Sequence, residues 1–408
     1  MVQAYTVRAV RCDHRASDEE VYERLRAVTD PLDRSWAKIA NARQVLIKVN
    51  MAMPPSNVHR FAGRRRELVD EAVFRAALRR LRERTSARIV VADGMSRTPE
   101  APYESLNYKP ILDEFGVEWV DACEPPFKLY EVPGGGNMFT RYKLTAAIAE
   151  SDAVVSIAKL KNHLFQGVTL SLKNLFGWPP MAPHGRTRRY YHHIIRLSYV
   201  LPDLGLIAQP CLNIVDGLVG QAGREWNGEG RVCDAFIAGD HPIATDACGA
   251  WLMGHDPNGD WPDQPFLRDR SALRVAADAG FGTVNLDEID FQSEVDRPLA
   301  QFGAVELDPA ETILRWRETT CEQALYYRDN EKRFVDRYAG QFIMLQDNEV
   351  VWAGADASDL PSRRDLAGPS KDSAIWLKLV DPEEVEGEHF EVYERELEIS
   401  RRVRAERG

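Results

Sequence analysis

Between Lys159 and Val200 the chain carries seven basic residues, Lys159, Lys161, Lys173, Arg186, Arg188, Arg189 and Arg196, and no aspartate or glutamate. Four of its nine histidines, His163, His184, His192 and His193, fall in the same stretch. In a protein whose formal net charge is −11, such a concentration of positive charge focuses an anion, whether carboxylate, phosphate or nucleic-acid backbone. Lysines crowded by other cations have two chemical uses. Left protonated, they hold an anion as point charges. Driven neutral, they serve as base or nucleophile. Clamping an anion is the simpler role for most of them.

The elements around these residues must bring them to one place. Short β-rich runs alternate with helical stretches to about residue 290, among them QVLIKVN, ARIVVADG, DAVVSIAK, VTLSLKN, CLNIVDG and DAFIAG. Several are nearly continuous apolar runs, as strands covered on both faces should be. The segment RRELVDEAVFRAALRRLRERT repeats its apolar residues at helical spacing. This alternation specifies an α/β fold with a mainly parallel sheet flanked by helices. Ligands of open α/β sheets bind in the crevice at the carboxyl ends of the strands. Lys48 and Asn50, Asp93, Lys159 with Lys161 and His163, and Asp216 all stand at the ends of such runs. Four strands therefore deliver polar groups to one rim.

Other features admit plainer readings. The glycine-rich segment GLVGQAGREWNGEG after Asp216 matches no dinucleotide or phosphate-loop fingerprint and reads equally as a mobile lid. Gly134, Gly135 and Gly136 form a similar, weaker case. Tyr191-His192-His193 could supply a ligand or a base. Asp246 stands where helix capping is at least as good an account as catalysis. The six cysteines contain no Cys-x-x-Cys pair, so a local iron–sulfur or zinc-ribbon motif is absent.

Length and composition set the frame. The 408 residues are 44% hydrophobic and 28% charged, which is globular and outside the disordered class. The expected division is an α/β core over 1–305, a connecting helix over 306–334, a small C-terminal α+β appendage over 335–398 and a charged, frayed tail over 399–408. Within the appendage, QFIMLQDNEVVWAG reads as two strands turning at Gln346 to Glu349. No run has the roughly 20 apolar residues of a membrane span, and the first residues lack a signal pattern, so a cytoplasmic protein is expected. Homo-oligomerisation is compatible with the sequence.

The ordered set VLIKVN, VADG, SDAVVSIAKLKNHLFQGVTLSLKNLFG, YYHHI, LNIVDG and IAGDHPIATDACGAWLMGHDP resembles the family called domain of unknown function 362, over about residues 44–257. The resemblance implies an α/β fold and a shared site on Lys48, Asn50, Asp93, Lys159, Lys161, His163, Lys173, Asn174, His192, Asp216 and Asp246. Relatives are sometimes joined to ferredoxin-like modules, whose cysteines this chain lacks. It departs from the family at Val49, where proline is usual, and at Ala222, where the glycine-rich loop usually carries an acid.

Together these features point to an enzyme acting on a small anionic metabolite. Lys48, Asn50, Lys159, Lys161, Lys173 and Asn174 would bind it. His163 or His192 would move protons, with Asp93 or Asp216 orienting them, in isomerase- or lyase-type chemistry. The alternatives are a metal- or iron–sulfur-dependent oxidoreductase, with a divalent ion on His163, His184, His192 and Asp216, and a binding protein without catalysis. In the last, Arg186, Arg188 and Arg189 beside Tyr190 and Tyr191 would hold nucleic acid; the acidic whole makes that partner the weakest choice.

Overall fold

The computed structural model describes residues 4–51, 58–94, 108–185, 188–361 and 375–407. The apolar runs form a nine-stranded sheet of β1 (Tyr5–Arg11), β2 (Gln44–Val49), β3 (Arg88–Asp93), β4 (Glu118–Asp121), β5 (Ala153–His163), β6 (Gly167–Thr169), β7 (Leu212–Ala222), β8 (Glu229–Gly239) and β9 (Ile289–Ser293). Its order is β9-β1-β8-β7-β5-β2-β3-β4, with β6 folded back on β5. The pairs β7/β5, β5/β2, β2/β3, β3/β4 and β9/β1 are parallel; β8 runs antiparallel to both β7 and β1. This is the mainly parallel α/β sheet that the sequence specifies.

Residue alternation decides which helices cover which face. Val45, Ile47 and Val49 of β2 join one apolar cluster, with α1 (Asp18–Thr29), α2 (Asp33–Ala40), α3 (Glu71–Arg84) and α4 (Lys109–Glu114). Leu46 points the other way, into the cluster that includes α6 (Arg196–Ala208), α7 (Pro242–Leu252) and α8 (Ala272–Asp278). Side chains of successive strand residues leave opposite faces, so continuous apolar runs fill both layers. From β2 the chain moves outward to β3 and β4, then returns to place β5 on the other side of β2. The carboxyl ends of β2 and β5 therefore flank a topological switch point, the place where such sheets bind ligands.

Three expected elements come out differently. VTLSLKN is not one strand: it splits into β6 and the short helix α5 (Ser171–Asn174). The physical reason is Asp246, whose carboxylate accepts from the amides of Ser171 (2.8 Å) and Leu172 (2.7 Å) and so satisfies the donors that open a helix. The glycine-rich segment is mostly strand rather than lid, because β7 runs to Ala222 and β8 returns from Glu229, leaving a hairpin tip. Gly223 in that tip has φ +89°, a conformation that disfavours a side chain.

The tail is the third. Residues 399–407 continue α11 (Glu391–Arg407) instead of fraying. They pack against α9 (Ala310–Asp329), where Arg404 pairs with Glu311 (2.6 Å) and Glu318 (2.7 Å) and Ser400 is buried. Beyond α10 (Glu331–Tyr338), β10 (Phe342–Gln346) forms the centre of an antiparallel sheet with β11 (Glu349–Gly354) and β12 (Trp376–Leu379). Asp347 and Asn348 make the β10–β11 turn with φ of 50° and 66°, the left-handed pair a two-residue hairpin loop needs. This sheet touches the face carrying Tyr190, whose ring centroid lies 5.4 Å from that of Phe342. Gly134, Gly135 and Gly136 lie between the paired strands Phe127–Glu131 and Arg141–Thr145, in a turn outside the candidate site.

Candidate functional site

Eight of the expected residues line one cavity of about 410 Å³ at the carboxyl ends of β2, β3 and β5: Lys48, Asn50, Asp93, Lys161, His163, Lys173, Asn174 and His192. β2 supplies Lys48, β3 supplies Asp93, the extended end of β5 supplies Lys161 and His163, and α5 supplies Lys173 and Asn174. Arg188, Glu225, Trp226 and Thr169 complete the walls.

Proximity does not make all of these residues available. Lys159 and Asp216 stay outside the cavity and pair with each other at 2.9 Å, both fully buried. The Asp216 carboxylate also accepts from the amides of Asp70 (2.8 Å) and Leu218 (3.1 Å). Burial pushes its pKa up and Lys159 opposes that shift. This pair pins β5 to β7, which corrects both the clamp expected of Lys159 and the orienting role expected of Asp216.

Lys48 is likewise committed. Its Nζ contacts Asp93 Oδ1 (2.8 Å) and donates to the Val49 carbonyl (3.0 Å) and Asn174 Oδ1 (3.1 Å), which uses all three of its donors. Asn174 Nδ2 reaches the Lys48 and Ile157 carbonyls, so this side chain clips β2 to β5 rather than binding substrate. Asp93, held by Lys48 and the Gly94 amide (2.9 Å), orients no histidine. Gly177 closes over the group: a Cβ there would meet Asp93 Oδ1 at 2.2 Å and Lys48 Cε at 2.3 Å.

What remains is a set of cations without carboxylate contacts among the described residues. Lys161 donates to the Glu67 carbonyl (2.6 Å) and lies 4.3 Å from the Trp226 ring centroid. Lys173 sits 4.6 Å from the Phe176 ring centroid. Arg188 donates to the Gly177 carbonyl (2.8 Å). Burial lowers Lys161 to about 7, with Lys173 and Lys159 adding to the effect and Glu225 and Glu67 opposing it. Burial lowers Lys173 to about 8. Two polar atoms facing the same space, Asn50 Oδ1 and Thr169 Oγ1, are buried without a hydrogen-bond partner among the described residues.

The histidines are neutral, because burial and then the nearby Lys173 push both His163 and His192 well below 6.5. His163 Nδ1 accepts from the amides of Phe165 (3.0 Å) and Gln166 (3.2 Å), so the ring carries its proton on Nε2. Nε2 faces Glu225 Oε1 at 3.7 Å. With one nitrogen occupied and the other protonated, His163 can donate a hydrogen bond but cannot act as a base, which corrects the role expected of it. The His192 ring packs among His163, Phe165 and Phe176, at centroid distances of 5.6, 5.0 and 5.5 Å.

Glu225 escaped the sequence reading, which noted only that the acidic position of the loop is Ala222. It is the first carboxylate after Asp216, and the hairpin tip folds it back so that it accepts from the Leu164 amide (2.9 Å).

The metal set expected on His163, His184, His192 and Asp216 is not assembled. His184 packs on Tyr190 and Tyr191, 3.6 Å from Glu386, and Asp216 belongs to Lys159. Nor do Tyr190 and Tyr191 offer the stacking platform expected for nucleic acid, since they are 1% and 0% exposed, and Arg189 donates to the Leu360 carbonyl; Arg186 lies outside the described residues.

Asp246 acts at one remove, through α5. Because an amide side chain offers one acceptor oxygen where a carboxylate offers two, Asp246→Asn leaves a helix donor unmet. We expect a loss of about 1–3 kcal/mol in chemical denaturation. Wild-type stability would show that the two amide bonds do not hold α5.

Residues 45–251 match the family described as domain of unknown function (DUF362). A thylakoid-associated protein of Synechocystis sp. is 22% identical over 242 residues, which are 57% of this chain and 70% of that protein. Among solved structures, the lactate racemase apoprotein of Thermoanaerobacterium thermosaccharolyticum aligns with a TM-score of 0.39 and 13% identity, over 61% of this chain and 56% of that one. A Thermotoga maritima protein aligns with a TM-score of 0.30 and 12% identity, over 53% and 54%. The chain thus spans little more than half of each of these two. Among the described residues no helix is long and apolar enough to cross a membrane.

Proposed function

The chain belongs to the domain of unknown function (DUF362) family, and from that premise we propose that its strand-end cavity binds a small carboxylate or phosphate and moves a proton on it. One observation carries the reading: Lys161 and Lys173 face a common space with no carboxylate in contact among the described residues, beside a neutral His163 that can only donate. An anion entering the cavity supplies a counter-charge in direct contact with these two lysines, where Glu225 acts on them only from a distance.

Roles follow from protonation. Lys161, near 7, is available in its neutral form and takes the proton from the carbon beside the substrate carboxylate. As that C–H bond breaks, its electron pair moves into an enolate, which the Lys173 ammonium and the His163 Nε2–H stabilise. Return of the proton to carbon gives isomerisation; expulsion of a neighbouring leaving group gives elimination.

The base must be neutral and the clamp charged. We therefore expect kcat/KM for an accepted carboxylate to rise with pH through about 7, as Lys161 loses its proton, and to fall above about 8, as Lys173 does. Binding of inorganic sulfate, which needs only the charges and keeps its own charge constant, should weaken steadily over the same range. Sulfate affinity that is flat from pH 6 to 9 in titration calorimetry would contradict this assignment.

A further inference from the structure

A second cavity, of about 360 Å³, adjoins the first, and His192 lines both. Its character is different. Phe165 from the loop after β5, Trp316 from α9, Met344 and Leu377 from the C-terminal sheet and Leu360 from the segment after β11 supply apolar walls, and Arg189, His193 and Arg268 also line it. Thr320 Oγ1 is fully buried at this wall without a hydrogen-bond partner among the described residues. A cavity with mostly apolar walls and a few polar groups, one of them an orphaned hydroxyl, is the usual form of a site for the body of an organic ligand. The His192 ring divides the two spaces, with His163 and Phe176 on the charged side and Phe165 on the apolar side.

We propose that the ligand is amphipathic: its anionic group rests on Lys161 and Lys173, and its apolar body passes beside His192 into the second cavity. This inference rests on the anion reading of the first cavity and names the substrate class for it, a monoanion carrying an apolar chain or ring of several carbons. It also gives the C-terminal sheet a part in binding, because Met344 and Leu377 belong to β10 and β12.

The test is titration calorimetry of the full chain with butanoate, hexanoate, octanoate and decanoate, each below its micelle concentration. Burying each added methylene should tighten binding about threefold to fourfold. Leu360→Trp, which fills the cavity from its rim, should remove the gain for octanoate and leave butanoate unchanged; Thr320→Val, close in shape, should leave both chains bound. Affinity independent of chain length would overturn the proposal. So would octan-1-ol binding as tightly as octanoate in both the native protein and Lys161→Ala, since the second cavity would then act alone. If neither butanoate nor inorganic phosphate binds, the anion reading itself fails, whatever octan-1-ol does.

Discussion

Lys161→Met should lower kcat/KM for an accepted carboxylate by about 10²–10⁴-fold, the range removed with a general base, while the protein keeps its fold. The side chain is close to lysine in length, and its stem can still pack against Trp226, 4.3 Å from the native ammonium. What disappears is an amine facing the cavity that burial lowers to about 7. Lys173→Met should act differently, mainly raising KM, because the charge it removes serves binding as well as the developing enolate. Steady-state kinetics at pH 7.5 separate the two, and His163→Ala should lose turnover without losing phosphate binding. Near-normal turnover in both Lys161→Met and His163→Ala would end the proton-transfer assignment.

Lys159→Met should destabilise the protein by about 3–5 kcal/mol, because it strands the buried Asp216 carboxylate without its counter-charge. The two lysines stand two residues apart on one strand and have opposite fates. Denaturant unfolding measures the loss, and the second substitution supplies the control. In Lys159→Met with Asp216→Asn no buried charge remains, and the asparagine oxygen still accepts from the Asp70 or Leu218 amide, so most of the stability should return. A Lys159→Met protein of native stability that no longer binds phosphate would restore Lys159 to the site.

Binary patterning made the sheet legible: VLI of β2 and AVV of β5 are apolar on consecutive residues, the pattern of a strand buried on both faces. Helix α3 was equally legible from its apolar spacing. Asp246 shows where local reading ran out. Its donors lie on Ser171 and Leu172, 75 and 74 residues earlier, so no window of sequence around VTLSLKN could show that a helix begins there. Residues 399–407 show the same failure, since their charges look solvated in sequence and are fixed in space by Glu311 and Glu318 of α9.

The amino-acid sequence by itself determined the class of fold and the basic residues gathered at the ends of its strands. It did so because hydrophobic periodicity and the absence of acids between Lys159 and Val200 are properties of neighbouring residues. Only the tertiary structure decided which lysines are free. Lys159 is neutralised by a carboxylate 57 positions away and Lys48 is clipped by an asparagine 126 positions away, whereas Lys161 and Lys173 meet aromatic rings and carbonyls. Charge pairing falls off with distance through space, and the fold alone sets that distance.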